Sequence, residues 1–498
     1  MATEQLNCNA LLIQEQKMES KFMTTSPNKT LYHTVADRIH GLISEGTLQP
    51  GDRLPSVRKL HRQWSVSIST VLEAYRLLED RGLIEARPQS GYFVKTILNF
   101  LPDEPSLSTP KSADNPVDTS LAFRVNSSML NPRIIGLGAA IAGSNLLPIA
   151  TLNRLMGQVL RAKPEVAHRY SSPQGCEELR HEVARRLIDT GCSITPDQIV
   201  ITNGATEALY LSLKAVTKPG DTVAIESPTY HLLLETLAAL HLQILELPTH
   251  PQHGVSLIHL EDALKNHQIS ACVLIANFSN PLGSCMSDSK KKQLISLINR
   301  YNIPLIEDDI YGDLNFIGNR PKAIKSFDTQ GLVLYCSSIS KTLSPGLRIG
   351  WAVPGRYQTK VEQLKMTTNY MTAVAPQLTI AAFLANGGYD RHLRKLRRTY
   401  QSQMLNMTQA ICHYFPKMTK VSRPKGGYVL WIEMPEIVDT LQLYEDALRH
   451  NIAIAPGSMF SSSGSYRNCF RLNFGLPFTE EIQQAMIILG QLLHEQTK

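Results

Sequence analysis

Five short apolar segments constrain this chain most: QIVIT (198–202), TVAIE (222–226), ACVLIA (271–276), IPLIEDD (303–309) and LVLYCSS (332–338). They alternate with helical patterns, and strands separated by helices predict a mostly parallel sheet flanked by helices. No internal repeat at a fixed period accompanies them. The chain has 498 residues, and at roughly 150 residues per domain about three domains are expected.

One further domain is legible between Leu31 and Val94. In YHTVADRIHGLISEG the apolar positions Val35, Ile39, Leu42 and Ile43 recur at i, i+4, i+7 and i+8, a single helical face, and Gly46 stops it. After a Pro-Gly turn (Pro50, Gly51), PSVRKLHRQW sets Val57, Leu60 and Trp64 on one face. Ser67 then caps a third helix in which Val71, Tyr75 and Leu78 line a face and Gly82 ends it. Two helices joined by a short turn follow the helix-turn-helix plan. LIEARPQSGYFV alternates and turns at 88–91, as a two-stranded wing does.

These patterns predict a polar leader over 1–30 and a small domain over 31–95. A linker over 96–130, holding Pro102, Pro105, Pro110 and Pro116, would let the halves move, and a larger domain covers 131–498.

Hydrophobic residues at 43% and charged residues at 19% exclude a wholly disordered, collagen-like or coiled-coil chain. A formal charge of +7 permits an anionic partner without demanding one. The start, MATEQLNCNALLIQEQKMESK, lacks the basic region and cleavage site of a secretory signal. The longest uncharged stretch, 366–389, carries Asn369, Pro376, Gln377 and Asn386, costly in a bilayer, so no membrane span is expected. The cysteines (Cys8, Cys176, Cys192, Cys272, Cys285, Cys336, Cys412 and Cys469) form no C-x-x-C, which argues against both a disulfide framework and a zinc ribbon, and no metal site is expected. Free thiols in a reducing cytoplasm are the expectation.

The segments PGDRLPSVRKL, VSISTVLEAYRLLEDRGLI and ARPQSGYFV carry a dense motif, and through it 31–94 resembles the GntR-type winged-helix regulators. From periodicity alone a helical bundle with solvated arginines fits as well. The resemblance implies a double-stranded DNA operator as partner, with Arg53, Ser56 and Arg58 at contact positions. Arg53, Arg58, Lys59 and Arg62 cluster around the start of the second helix, where guanidinium forks and helix-terminal amides hold phosphates. Lys plus Arg exceed Asp plus Glu only by 9 to 7 between residues 31 and 97, so position matters here and not total charge. The third helix would enter the major groove with Ser67, Ile68, Ser69 and Thr70 nearest the base edges. Where this family often carries arginine the chain has Ile68, which replaces a fork by an apolar group able to meet a thymine methyl. Arg87 in the wing either contacts DNA backbone or is a solvated strand end.

SSISKTLSPGLRIGW (337–351) resembles the Schiff-base lysine segment of fold-type-I aminotransferases. A lone lysine is usually solvated, so the motif and not the residue type carries this assignment. The resemblance implies pyridoxal 5'-phosphate as cofactor, bonded to Lys341, with Ser338, Ser340 and Arg348 on its phosphate. Asp308 in IEDDIYGDL would pair with the pyridinium nitrogen, and Tyr311 and Asn280 (in SNPLG) would meet the ring's phenolic oxygen. In ITNGATEAL the amides of Ala205 and Thr206 open a helix and would cradle phosphate. Tyr230 in ESPTY matches the stacking aromatic, though a solitary tyrosine is more often core. Tyr170 in RYSSPQG matches the residue that reaches a partner subunit's phosphate, which makes a homodimer expected. Arg471 in FRLNFG matches the family's clamp for an α-carboxylate, where an ordinary ion pair would otherwise be the reading. Gly143 lies in a segment similar to the N-terminal strand near the substrate.

Together the two halves look like the MocR-type regulators. The implied fold is multi-domain: a small winged helix-turn-helix domain, then an α/β aminotransferase-like fold with a smaller α+β C-terminal subdomain. Its large part would cover about 171–355 and its small part about 356–498. The implied function is transcriptional regulation by an amino-acid or amine effector sensed through Schiff-base exchange at Lys341. Two alternatives stay open: a working aminotransferase with an accessory DNA-binding domain, and a regulator that senses pyridoxal phosphate itself.

Overall fold

Two serines set the helix starts of the N-terminal unit, which holds α1 (Leu31–Ser44), α2 (Val57–Trp64), α3 (Ile68–Asp80), β1 (Ile84–Arg87) and β2 (Gly91–Val94). Ser56 Oγ accepts from the Lys59 amide at 3.3 Å and Ser67 Oγ from the Thr70 amide at 3.0 Å, each satisfying a free donor of a first turn. Ser65 between the helices takes a left-handed φ of 49°, which turns the chain. Val35, Ile39, Leu60, Val71, Tyr75 and Leu78 form one buried core. The Tyr75 hydroxyl donates to the Pro55 carbonyl at 2.6 Å, satisfying the polar end of that core ring. β1 and β2 pair antiparallel, and Arg53 bridges to Phe93 beside them.

The computed structural model describes residues 30–44, 47–48, 52–87, 90–94, 102–110 and 119–498, and the chain falls into two units, Met1–Asn99 and Phe100–Lys498. The leader, Gly46, Pro50, Gly51, the first half of the wing turn and the Arg87 side chain lie outside the described residues.

The second unit begins with a correction. Part of the stretch read as linker is built into it: residues 102–110 run along it with Pro105 and Ser108 buried, and α4 (Thr119–Met129) buries Leu121, Ala122, Val125 and Met129. Prolines masked the first piece, because it docks through a few single bonds and makes no strand ladder. Serine and asparagine diluted the apolar face of the second.

Its large sheet runs β4 (Val200–Thr202), β11 (Gly350–Val353), β10 (Val333–Ser338), β9 (Leu305–Asp308), β8 (Ile269–Leu274), β5 (Thr222–Ser227), β6 (Gln243–His250) and β7 (Gly254–Val255) in spatial order. Only β11 and the two-residue edge β7 are antiparallel to their neighbours. Separate apolar clusters cover its two faces, which is why strands such as β8 are apolar at successive positions. The helices α5 (Gly204–Val216) and α6 (His231–Ala239) follow β4 and β5.

The division expected near 356 is also displaced. α7 (Gln358–Thr368) packs on α5, and α8 (Val374–Ala385) packs on the helices Ile149–Ala162 and Glu177–Leu187, so both belong with the large part. The small part comprises α9 (Gly388–Tyr414), α10 (Glu480–Gln496) and the antiparallel sheet β12 (Lys420–Val421), β13 (Val429–Glu433), β16 (Cys469–Asn473) and β15 (Ala455–Pro456). Beside it β3 (Ile135–Gly136) pairs with β14 (Ile452–Ala453), which ties the segment after α4 to the small part.

Candidate functional site

Parallel strands point their carboxyl ends at one edge of a sheet, and ligands of open α/β folds bind there. In this chain β4 delivers Gly204 to Thr206, β5 delivers Tyr230, β8 delivers Asn280, β9 delivers Asp308 and Tyr311, and β10 delivers Ser338 to Lys341. β16 of the small part brings Arg471 to the same place, where its Nη1 donates to Asn280 Oδ1 at 2.7 Å.

Lys341 Nζ donates to the Ala140 carbonyl at 2.8 Å and lies 5.9 Å from the centre of the Tyr311 ring. Burial, then the Arg471 guanidinium, hold its pKa down at about 8, with Asp308 opposing and Arg348 adding to the shift. Asp308 is buried and its Oδ1 has no hydrogen-bond partner. Burial, then the neighbouring Asp309, push its carboxyl up to about 7. A cation delivered to that orphaned oxygen would restore its charge. The Tyr311 hydroxyl is likewise enclosed without a well-formed bond, Asn280 being the polar side chain beside it. Tyr230 stands at the start of α6, edge-on to His231 with ring centres 5.0 Å apart.

Anion chemistry gathers at the start of α5. Arg348 Nη2 donates to the Asn203 carbonyl at 2.9 Å. Gly204, at φ 77°, lies so close to that guanidinium that a Cβ there would collide with it. Thr206 is exposed beside them, Ser338 Oγ accepts from the Ser340 amide at 3.3 Å, and the buried Ser340 Oγ has no partner. A helix N-terminus, an arginine and orphaned hydroxyl capacity form a fitting seat for a phosphate.

Arg471 is fully buried within β16. Its Nε and Nη2 donate to the Gly138 carbonyl at 3.2 and 2.5 Å, and its guanidinium lies 4.9 Å from the Phe460 ring centre. The segment 138–141 thus caps both cationic groups, Gly138 on Arg471 and Ala140 on Lys341. Gly143, the residue singled out in that segment, instead pairs its amide with the Gly475 carbonyl at 2.9 Å. Backbone carbonyls leave no residue-type signal, so Gly138 and Ala140 escape sequence reading.

His231 is a second omission. Burial and the cations Arg471 and Lys341 hold it neutral, down at about 3; its Nε2 meets Asn126 Nδ2 of α4 at 2.8 Å and its Nδ1 has no partner. Its place directly after Tyr230 was the available signal.

Tyr170 is 80% exposed and packs edge-on against Tyr370. In the N-terminal unit Arg53, Ser56, Arg58, Ser67, Ile68 and Ser69 are exposed and Thr70 half-buried, with Ile68 at 45% exposure in the first turn of α3. Ser67 Oγ lies 2.8 Å from both Ser69 Oγ and Thr70 Oγ1, so the cap gathers the hydroxyls at that helix start.

Residues 31–94 match the family profile of bacterial regulatory proteins, gntR family, and residues 142–486 that of aminotransferase class I and II. The HTH-type transcriptional regulator YdcR of Escherichia coli is 39% identical over 93% of this chain and 99% of its own length. The chain belongs to the MocR-type regulators. The solved kynurenine aminotransferase of Pyrococcus horikoshii, in complex with PMP, superposes on this MocR-type chain with a TM-score of 0.71 at 27% identity, over 76% of this chain and 95% of its own. LysN of Thermus thermophilus, an α-aminoadipate aminotransferase complexed with N-(5'-phosphopyridoxyl)-L-leucine, gives 0.70 at 28%, over 76% and 97%.

The family's GntR part implies DNA binding, and its aminotransferase part implies pyridoxal phosphate. Among the described residues of this MocR-type protein, no helix is long and apolar enough to cross a membrane, and no group of His, Cys, Asp or Glu is placed to hold a metal.

The Lys341 environment has a measurable consequence. Only the free amine attacks an aldehyde, and at pH 7 a lysine with pKa about 8 is about one-tenth free, against roughly 0.03% for an ordinary lysine. Stopped-flow absorbance should show capture of pyridoxal phosphate accelerating as pH rises and levelling off above a midpoint near 8. A midpoint near 10.5 would contradict the buried environment.

Proposed function

We propose that this MocR-type regulator holds pyridoxal phosphate at Lys341 and uses it to sense an amino-acid or amine effector, altering its binding to an operator as a homodimer. The observation that carries the reading is a weakly basic amine, Lys341, gathered with the Arg471 guanidinium and with a buried carboxyl, Asp308, whose Oδ1 lacks a partner.

The residues present fit the cofactor. When bound, pyridoxal phosphate supplies an aldehyde that condenses reversibly with amines and a ring that draws electrons. Asp308 would hold a proton on the ring nitrogen, Tyr311 and Asn280 would face the phenolic oxygen, and Tyr230 would stack on the ring. Ala205, Thr206, Ser338, Ser340 and Arg348 would hold the phosphate, and Tyr170 would reach the phosphate held by a second copy of the chain. Lys341 would supply the protein's own amine for that aldehyde, and an effector's amine would contend with it there. Arg471 then tests for a carboxylate, exchanging the Gly138 carbonyl for a charged acceptor. On the DNA side Arg53, Ser56, Arg58 and Arg87 would position the backbone, and Ser67 to Thr70 would meet base edges.

One observation favours a second reading, a working aminotransferase: the solved relatives are aminotransferases, and every residue that the resemblance requires for transamination is present in this sequence. The test follows visible absorption while amino acids are added to the cofactor-loaded protein, with oxo acid assayed and affinity measured for a duplex selected from a random pool. The sensing reading expects a lasting spectral shift, little product and a change in DNA affinity. Product accumulating over many cycles with DNA affinity unmoved overturns it in favour of the enzyme. A response to pyridoxal phosphate alone, with none to amino acids, overturns it in favour of a cofactor sensor.

A further inference from the structure

Only residues 95–101 separate the end of β2 at Val94 from Pro102, where the described chain resumes on the second unit. Residues 102–110 bond to both parts of that unit. Toward the small part, the Val421 amide donates to the Asp103 carbonyl and Arg423 Nη2 to the Pro102 carbonyl, each at 2.8 Å. Toward the large part, Glu104 accepts from Gln252, and Ser108 makes three bonds. Its amide donates to the Thr249 carbonyl at 3.2 Å, and its Oγ accepts from the Thr249 amide at 2.7 Å and donates to the Ser227 carbonyl at 2.5 Å.

The same seam leads to the candidate site. Ser227 ends β5 three residues before Tyr230, and its Oγ meets the Tyr466 hydroxyl of the small part at 2.9 Å. The Thr229 amide donates to the Phe460 carbonyl at 2.9 Å, and Phe460 is the ring beneath Arg471. Ser461 Oγ, the next residue, reaches both oxygens of Glu246 on β6 at 3.0 Å. A ligand that takes over Arg471 competes with Asn280, the large-part residue it bonds, and so acts on the same seam between the two parts. A segment bonded to both parts must then give up or rearrange one set of its bonds.

We infer that residues 102–110 are a strap that registers how the two parts meet and passes occupancy of the Lys341–Arg471 site along the chain to the DNA-binding unit. This rests on the sensing reading above. The strap is a discrete element with two sets of bonds, which both the effector site and the DNA can bias, as coupling between distant sites requires.

The test uses the full-length protein loaded with pyridoxal phosphate. Aminooxyacetate is the probe, because it carries a carboxylate and condenses with the cofactor aldehyde. The DNA is a duplex that the wild type selects from a random pool. In the wild type the probe should change DNA affinity by about fivefold or more and alter hydrogen exchange at the amides of Ser108 and Val421. Ser108→Ala combined with Arg423→Ala should keep the spectral response and the probe-free affinity but lose most of the probe-dependent change, to less than about twofold. Arg423→Ala alone, at an exposed side chain, should lose part of it and guards against a double variant that fails to fold. A double variant that keeps the full wild-type response overturns the strap, as does exchange over 102–110 that ignores the bound probe. Wild-type DNA affinity indifferent to the probe overturns the sensing reading and the strap's relay to the DNA with it; a strap that fails alone is told apart by a wild type that responds while the double variant responds equally.

Discussion

Lys341→Ala is expected to abolish covalent capture of pyridoxal phosphate, leaving no visible absorption band after unbound cofactor is removed. Among the described lysines none matches it: Lys365 and Lys291 are more deeply buried, but Lys365 is paired with Glu207 and Lys291 donates to Asn277 and the Lys322 carbonyl. Folding should barely change. The substitution forfeits one hydrogen bond to Ala140, worth about 1 kcal/mol, and relieves the cost of burying an amine. Far-ultraviolet circular dichroism and the melting midpoint check that second half. A normal band in the variant would remove Lys341 from the site, and with it the reading of this pocket as a sensor.

Arg471→Ala should cost more in both stability and recognition. The side chain is buried and donates to Gly138 and Asn280, so truncation leaves two acceptors without a donor and destabilises by roughly 2–4 kcal/mol. Losing a buried, hydrogen-bonded partner for a carboxylate costs about 2–5 kcal/mol, so the concentration of an amino acid needed to shift the spectrum should rise by roughly 30-fold to several thousandfold. Amines without a carboxylate should lose little, and that contrast is the check. Arg471→Lys should recover only part of the response, because an ammonium keeps the charge and loses the fork. Equal losses for amines and amino acids would mean that Arg471 supports the pocket without meeting the ligand. The same substitution removes a cation that depresses Lys341, so the midpoint of cofactor capture should move upward from about 8.

The parallel strands and their carboxyl-end residues are legible in the sequence because burial on both faces writes continuous apolar runs, and because Asp308, Asn280 and Lys341 sit in dense local motifs. The winged helix is legible for a related reason: Ser56 and Ser67 are caps whose role is local in the chain. What escapes is what the tertiary structure makes. The Gly138 and Ala140 carbonyls act through backbone atoms that any residue supplies. His231 is held neutral by cations far away in sequence, which no pattern around Tyr230 announces. Residues 102–110 look like linker because three prolines and scattered polar residues carry no periodicity, and single bonds from Ser108 and two backbone carbonyls hold them. α7 and α8 follow the last central strand in the chain, yet pack back on the large part and displace the expected boundary.

Seen as a product of gene fusion, this chain has its joint earlier than its composition suggests. A recombination that exchanged the DNA-binding half would disturb the segment that holds Val421 and Arg423 if it cut after 103, strip Thr249 of Ser108 if it cut after 108, and uncover the core that Val125 and Met129 fill if it cut after 129. The interchangeable module therefore ends before Pro102. Whatever DNA-binding half is joined upstream meets the same nine residues already fastened to the aminotransferase-like half.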